Sequence, residues 1–136
     1  MSTYLVRALF IVPVAVMLMG AARLVDPPPV DTPASLSQKE VTDVVRKTLI
    51  RRGWLLTSDS GDEINATLNV RTHVVKLKFD TTGKKIRLRY VDSVNLDYKL
   101  NKKGEPTIHK KYPGWVQNLI TAFQQEMQLA ALAKSN

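Results

Sequence analysis

Hydrophobic residues recur at helical spacing in two stretches of the chain. The first opens with Ser37 and Glu40, which have the spacing of a capping box, and ends before Gly53, so it predicts a helix over residues 38–52. The second stretch predicts a helix that begins near Pro113, a residue suited to the first helical position. The apolar positions of this second helix are Val116, Leu119, Ile120, Phe123, Met127 and Ala130.

Between the two predicted helices, apolar and polar residues alternate, which is the pattern of half-buried β-strands. The segments concerned are 54–57, 64–71, 75–79 and 85–90, with 91–100 continuing the last strand or turning back beside it. Short connections join them, so we expect an antiparallel meander of three or four strands, followed by an exposed loop over 101–107. With both helices on one face of the sheet, the predicted fold is a two-layer α+β domain of order α-β-β-β-(β)-α.

Residues 1–22 have the layout of a bacterial secretory signal peptide. A short start with one basic residue precedes an apolar run over 8–19, and Gly20-Ala21-Ala22 supplies small residues at a cleavage point. The apolar stretch is shorter than the roughly 20 residues that span a bilayer comfortably. The sequence therefore predicts export to the periplasm or cell envelope, with cleavage near Ala22 or with the segment kept as an inner-membrane anchor.

The rest of the chain is predicted to form one domain. Residues 23–36 hold four prolines and no hydrophobic period, so we expect a tether there, a single α+β domain over 37–132, and a flexible tail over 133–136. The chain of 136 residues has 20 Lys and Arg against 12 Asp and Glu, a net charge of +8. This excess suits an acidic protein or an anionic envelope surface, whereas an exported protein rarely meets nucleic acid. Because the chain has no cysteine, disulfides and thiol catalysis are excluded.

One face of the predicted sheet is basic. Cations occupy outward-facing positions of adjacent strands, and these are Arg71, Lys76, Lys78, Lys85, Arg87 and Arg89. We expect no acidic residue at outward positions within the same strands. Two interpretations stay open: a solvated face that keeps the sheet soluble, or a binding site for an anion or an acidic partner.

Two histidines raise the alternative of a small hydrolase or metal-dependent enzyme that uses His73, His109 and Asp92. Ser93 and Asp92 point to opposite sides of an extended strand, which disfavours a shared catalytic triad. The same residues lack the short spacing typical of a metal site. We therefore expect no catalytic residue, metal or cofactor. We interpret the polar aromatic residues as a rim of the core, and these are His73, Tyr90, His109, Tyr112 and Trp115.

Several short motifs are spread over residues 37–128. They are Gly53-Trp54, Ile64-Asn65-Ala66-Thr67-Leu68, Arg71-x-His73, Tyr90-x-Asp92-Ser93-x-Asn95-Leu96 and Ile108-His109-Lys110-x-Tyr112-x-x-Trp115-Val116-x-Asn118-Leu119. Together they resemble a family of small uncharacterised proteobacterial envelope lipoproteins, and the run that starts at Ile108 is the most specific. The resemblance implies an exported α+β domain that is usually lipid-anchored, and it implies no established enzyme activity.

The chain departs from that family pattern at two positions. Ala21 stands where the family usually has its lipidation cysteine, and Pro113 stands where asparagine is expected. We therefore expect a non-catalytic envelope module that binds an acidic partner or an anionic membrane surface through the basic sheet face. The alternatives are a structural subunit of an envelope assembly that pairs through an edge strand, and the small enzyme described above.

Overall fold

The computed structural model describes residues 20–136, which form an α+β structure with two helices and two antiparallel sheets. The predicted signal segment lies outside the described residues except for Gly20, Ala21 and Ala22. In the part of the chain from residue 20 onward, no helix combines the length and apolar character that crossing a bilayer needs.

The two predicted helices are present. Helix α1 spans Gln38–Arg51, and its capping box is confirmed: Ser37 Oγ accepts from the Glu40 amide at 3.1 Å, and Glu40 Oε1 accepts from the Ser37 amide at 2.8 Å. Helix α2 spans Lys111–Ser135, so it begins two residues before the predicted start and includes most of the predicted tail. Its last turn is fixed to α1, because Lys134 forms an ion pair with Glu40 at 2.7 Å.

The larger sheet has five antiparallel strands. Four of them, consecutive in sequence, pair as a meander, which matches the predicted alternation: β3 (Leu55–Asp59), β4 (Glu63–Val70), β5 (His73–Asp80) and β6 (Lys85–Val94). A short 3₁₀ turn, Thr82–Lys84, joins the last two. The fifth strand, β2 (Val30–Asp31), pairs with the start of β6, so the spatial order is β2-β6-β5-β4-β3.

The smaller sheet was not predicted. Its three short strands are β1 (Ala21–Arg23), β7 (Lys99–Leu100) and β8 (Pro106–His109), in the spatial order β1-β8-β7. The prediction of an exposed loop over 101–107 was therefore wrong at its end, because Thr107 is buried within β8. The element order is β-β-α-β-β-β-β-β-β-α, with six β-strands between the helices, rather than α-β-β-β-(β)-α.

Residues 23–36 differ from the predicted tether, because they pack against the domain. They contain the end of β1 and all of β2, and Val30 and Leu36 are buried in the core. Asp26 Oδ1 accepts from the Tyr90 amide at 3.0 Å. Prolines suit such a strap, since an extended segment that crosses other elements needs few of its own backbone donors.

One hydrophobic core joins both helices to the inward face of the larger sheet. At its centre lies Phe79, which is fully buried and makes edge-to-face contacts with Trp54 and Phe123 at centroid distances of 6.2 and 5.7 Å. The first contact comes from the segment after α1 and the second from α2. The core therefore fixes the end of α1 and the middle of α2 relative to β5.

Candidate functional site

The outward face of the larger sheet carries both signs of charge. Of the six predicted cations, five lie on it, but the strands also bring acidic residues to it, contrary to the prediction. In the strand register Lys76 lies opposite Asp92, and Arg87 lies opposite Asp80. Ion pairs join Lys78 to Glu63 at 3.7 Å and Lys85 to Asp31 at 2.5 Å.

A β-bulge explains why Asp92 reaches this face. The register between β5 and β6 shifts after Leu77 pairs with Tyr90, so Val91 is the extra residue and Lys76 pairs with Asp92. Strict alternation from the inward-facing Tyr90 would turn Asp92 inward and Ser93 outward. The extra residue reverses this, so Asp92 faces outward and Ser93 faces inward opposite Val75. The bulge therefore sets which polar groups of β6 face solvent.

The acidic groups on this face respond to the cations. The Lys85 ammonium holds the pKa of Asp31 below its usual value by hydrogen bonding and by its charge. Hydrogen bonds from the Thr82 hydroxyl and amide lower the pKa of Asp80, and the charges of Arg87 and Arg89 lower it further. Much of the positive charge on the sheet face is thus balanced locally, which favours the interpretation of a solvated, mixed-charge surface.

Arg71 does not lie on the sheet face with the other predicted cations. It occupies the tight turn between β4 and β5, where Val70 pairs with His73, and it has a φ of +57°. That backbone region favours glycine and asparagine over arginine. The turn directs Arg71 to one end of the domain, where it lines a cleft with His73, Lys110 and Lys111.

This cleft, which we call the end cleft, has two neighbouring parts. The basic part has a volume of about 490 Å³ and is lined by Arg71, His73, Lys110, Lys111 and Gly114. The apolar part has a volume of about 150 Å³ and is lined by Arg52, Trp54, Leu68 and Leu119. Both parts are bordered by Val70, Trp115 and Asn118. Within residues 20–136, no aspartate or glutamate lines either part.

His73 lines the basic part of the end cleft, and His109 lies next to it. Their ring centroids are 6.3 Å apart, and the His73 ring lies 5.9 Å from that of Trp115. His73 Nδ1 lies 2.6 Å from the Asn95 carbonyl oxygen, so this nitrogen donates and Nε2 is the remaining ring nitrogen. His109 Nδ1 accepts from the Lys111 amide at 3.0 Å, which fixes the neutral tautomer that carries its proton on Nε2.

The third residue of the enzyme alternative is elsewhere. Asp92 lies on the outward face of the sheet, whereas His73 lies on the inward side of β5. Ser93 faces inward and its hydroxyl lies 2.6 Å from the Tyr90 hydroxyl. Across residues 20–136, no three His, Asp or Glu side chains converge in a way that would hold a metal ion.

The remaining predicted rim residues form an aromatic cluster beside the histidines. Tyr90 stacks on Tyr98 at a centroid distance of 5.6 Å and makes an edge-to-face contact with Tyr112 at 5.9 Å. Burial raises the pKa of Tyr112 strongly and that of Tyr90 moderately, so both phenols are neutral at physiological pH. These rings position β6 against the start of α2 and act as packing groups.

Lys110 and Lys111 were not among the predicted site residues, although both line the basic part of the end cleft. Both are exposed, and they stand at the start of α2, where the helix dipole adds positive potential. The sequence feature that could have identified them is an adjacent pair of lysines directly before an amphipathic helix. Their proximity to Arg71 is a tertiary contact across about 40 positions of sequence, which no local pattern reveals.

Comparison with protein-family models, curated proteins and solved structures finds no match to this chain. The resemblance to envelope lipoproteins therefore stays a prediction, and function is argued from the geometry alone.

Proposed function

We propose that this protein is a non-catalytic, exported module of the bacterial envelope that binds an anionic membrane surface. The binding surface is the basic end of the domain, defined by Arg71, Lys110 and Lys111. Within residues 20–136, none of these three cations forms an ion pair with a carboxylate. The sheet face, by contrast, carries acidic partners beside its cations, so it contributes less to binding than its sequence suggested.

One observation carries this proposal. In the register of β1 and β8, Ala21 lies opposite His109, which is followed directly by Lys110 and Lys111. In the sequence, the apolar run 8–19 is followed directly by Gly20 and then by Ala21, the first residue of β1. The start of the described domain therefore lies beside the basic end. A membrane that receives the apolar run would therefore meet these cations at its surface.

The basic end is expected to contribute modestly to the affinity for an anionic membrane. A cation close to an anionic leaflet contributes about 1 kcal/mol, so three cations contribute about 3 kcal/mol, or roughly a hundredfold in affinity. Electrostatic attraction of this kind falls with salt, because the Debye length shrinks from ~10 Å at 0.1 M to ~3 Å at 1 M. The basic end therefore acts as an auxiliary contact that orients a domain already held near the bilayer.

The test is sedimentation of the purified full chain with vesicles that contain either zwitterionic lipid alone or added phosphatidylglycerol. We expect the anionic lipid to increase binding, 1 M salt to remove that increase, and the double variant Lys110→Glu with Lys111→Glu to lose it. The matched control makes the same charge change at Lys102 and Lys103, which are exposed in the loop between β7 and β8. If both double variants lost vesicle binding equally, the net charge of the protein would explain the binding, and the proposal would be contradicted.

A second candidate function is an assembly subunit that pairs through a sheet edge. Strand β2 covers β6 only at Lys85 and Ile86, and beyond it Val91 and Val94 are 50% and 54% exposed. An uncovered strand with exposed apolar residues is a template for pairing with another strand. Light scattering on the full chain tests this function: a dimer that Val94→Lys converts to a monomer supports it, and a concentration-independent monomer excludes it.

A further inference from the structure

We propose that the end cleft binds one amphipathic anion, a molecule that joins a single phosphate or carboxylate group to one hydrocarbon chain or ring. This inference rests on the proposed function, since it assigns a ligand class to the same basic end. It adds a pocket for a single molecule to what is otherwise a surface contact.

The basic part of the end cleft selects for negative charge. Arg71, Lys110 and Lys111 approach it from two separate segments, the β4–β5 turn and the start of α2. With no carboxylate among the lining residues from 20 onward, their charges have no local partner. An oxyanion placed among them gains charge-assisted hydrogen bonds, which arginine makes in a bidentate fork.

The apolar part offers a wall on which one small hydrocarbon group can pack. It is a pocket of about 150 Å³ that opens to solvent, and its apolar wall consists of Trp54, Leu68, Val70 and Leu119. Trp54 is only 7% exposed, and its ring is held against Phe79, so this wall of the pocket is rigid. The space suits one ring or the end of one chain.

The turn between β4 and β5 brings Arg71 to the basic part of the cleft. Its left-handed backbone conformation is shared by Lys84, Asn95 and Asp97 among residues 20–136, so this conformation describes the turn and is not itself a sign of a ligand. The observation that supports an anion site is the position of Arg71, which lines the cleft together with Lys110 and Lys111.

The ligand has two sources that share this chemistry. One is a soluble metabolite, such as an aryl or alkyl carboxylate, and the other is a single-chain anionic lipid that leaves the membrane surface. Octyl phosphate in solution and oleoyl lysophosphatidylglycerol, each below its micellar concentration, separate the two. Because both tryptophans of the chain line the cleft, intrinsic fluorescence reports binding directly.

Titration of the full chain with octyl phosphate should give a saturable change in tryptophan fluorescence. We expect octanol and inorganic phosphate to bind at least tenfold more weakly, because each offers only half of the ligand. Preference for the lysolipid over octyl phosphate identifies a membrane source, and the reverse preference identifies a soluble one. The absence of saturable binding by either, or equal binding of octanol, would overturn the proposal.

Two variants locate the binding and separate it from membrane attachment. Asn118→Phe fills the boundary between the two parts from an exposed helical position, and we expect it to reduce octyl phosphate affinity at least tenfold while vesicle sedimentation stays unchanged. Gln125→Phe makes the same change at an exposed position of α2 outside the cleft, and it should alter neither measurement. If Asn118→Phe binds octyl phosphate with unchanged affinity, the end cleft is not the binding site, even where vesicle binding is observed. The proposed function is tested separately by the loss of vesicle binding expected for Lys110→Glu with Lys111→Glu.

Discussion

Ala21 pairs with His109 across strands β1 and β8, so the last residues of the predicted signal segment form part of the folded sheet. Cleavage near Ala22 would leave only Arg23 of the three-residue strand β1. In the sequence, only Gly20 separates the apolar run 8–19 from β1. Cleavage near Ala22 would therefore also remove pairing from the smaller sheet, whereas cleavage within a free tether would not.

The first prediction tests whether the proline-rich strap is part of the fold. Asp26→Ala removes the acceptor of the Tyr90 amide, so we expect the free energy of unfolding to fall by about 1 kcal/mol and the Tyr90 amide to exchange faster. Asp26→Asn is the control, because its side-chain oxygen still accepts. Urea denaturation and hydrogen exchange measure the two effects. If both variants behave like the parent, the strap does not bind the domain in solution.

The second prediction compares the two basic surfaces at equal change in charge. Lys78→Gln with Arg87→Gln removes two charges from the sheet face, and Lys110→Gln with Lys111→Gln removes two from the basic end. We expect less than a threefold loss of affinity for anionic vesicles from the first pair, because Lys78 and Arg87 lie beside Glu63 and Asp80.

For the second pair we expect a loss of about tenfold or more, at about 1 kcal/mol for each lysine. Vesicle sedimentation at low salt measures both. If the sheet-face pair caused the larger loss of affinity, the sheet face would be the main binding surface.

The main elements of the fold were predictable because they carry local periodic signals. Helix α1 has a capping box and an apolar stripe, and strands β3 to β6 alternate over five to ten residues each. Strands β1, β2 and β7 have only two or three residues, which is too short for any period to appear. Their pairing with β6 and β8 depends on contacts between distant segments, so only the tertiary structure reveals it.

The candidate site was harder to predict than the fold. Alternation identified His73 as inward-facing and Lys76 as outward-facing, and the structure agrees with both. Alternation did not predict that Asp92 balances the charge of Lys76, because this pairing depends on how β5 and β6 are aligned at the bulge. Alternation also runs through Arg71 and so predicts a strand position for it, whereas Arg71 occupies the hairpin turn at positive φ, where arginine is uncommon.

The third prediction concerns the strained turn. Arg71→Asn should keep the turn and raise the free energy of unfolding by a few tenths to about 1 kcal/mol, because asparagine tolerates the left-handed conformation better than arginine. The same variant should weaken binding to anionic vesicles. Urea denaturation measures the change in stability, and vesicle sedimentation measures the change in binding. A fall in stability would mean that the arginine side chain stabilises the turn, and the argument from strain would fail.

The last prediction concerns pH and the contact between the two helices. Hydrogen bonding to the Lys134 ammonium, and then to the Ser37 amide, lowers the pKa of Glu40 from its usual 4.5 to about 2. A carboxyl with a lowered folded-state pKa contributes stability that is fully present above its unfolded pKa and is lost as pH falls toward the folded value. The contribution of Glu40 should therefore be constant above about pH 5 and disappear between about pH 4.5 and pH 2.

A double-mutant cycle isolates this contribution. Glu40→Gln keeps a capping side chain but removes the charge, and Lys134→Gln removes the partner while it leaves the capping box intact. We expect the coupling free energy between the two positions, measured by urea denaturation, to be favourable at pH 7 and to be largely lost at pH 2, where Glu40 is half protonated even in the folded protein. High salt at pH 7 should reduce it as well, because both groups are partly exposed. A coupling at pH 2 as large as that at pH 7 would show that packing, and not charge, joins the end of α2 to α1.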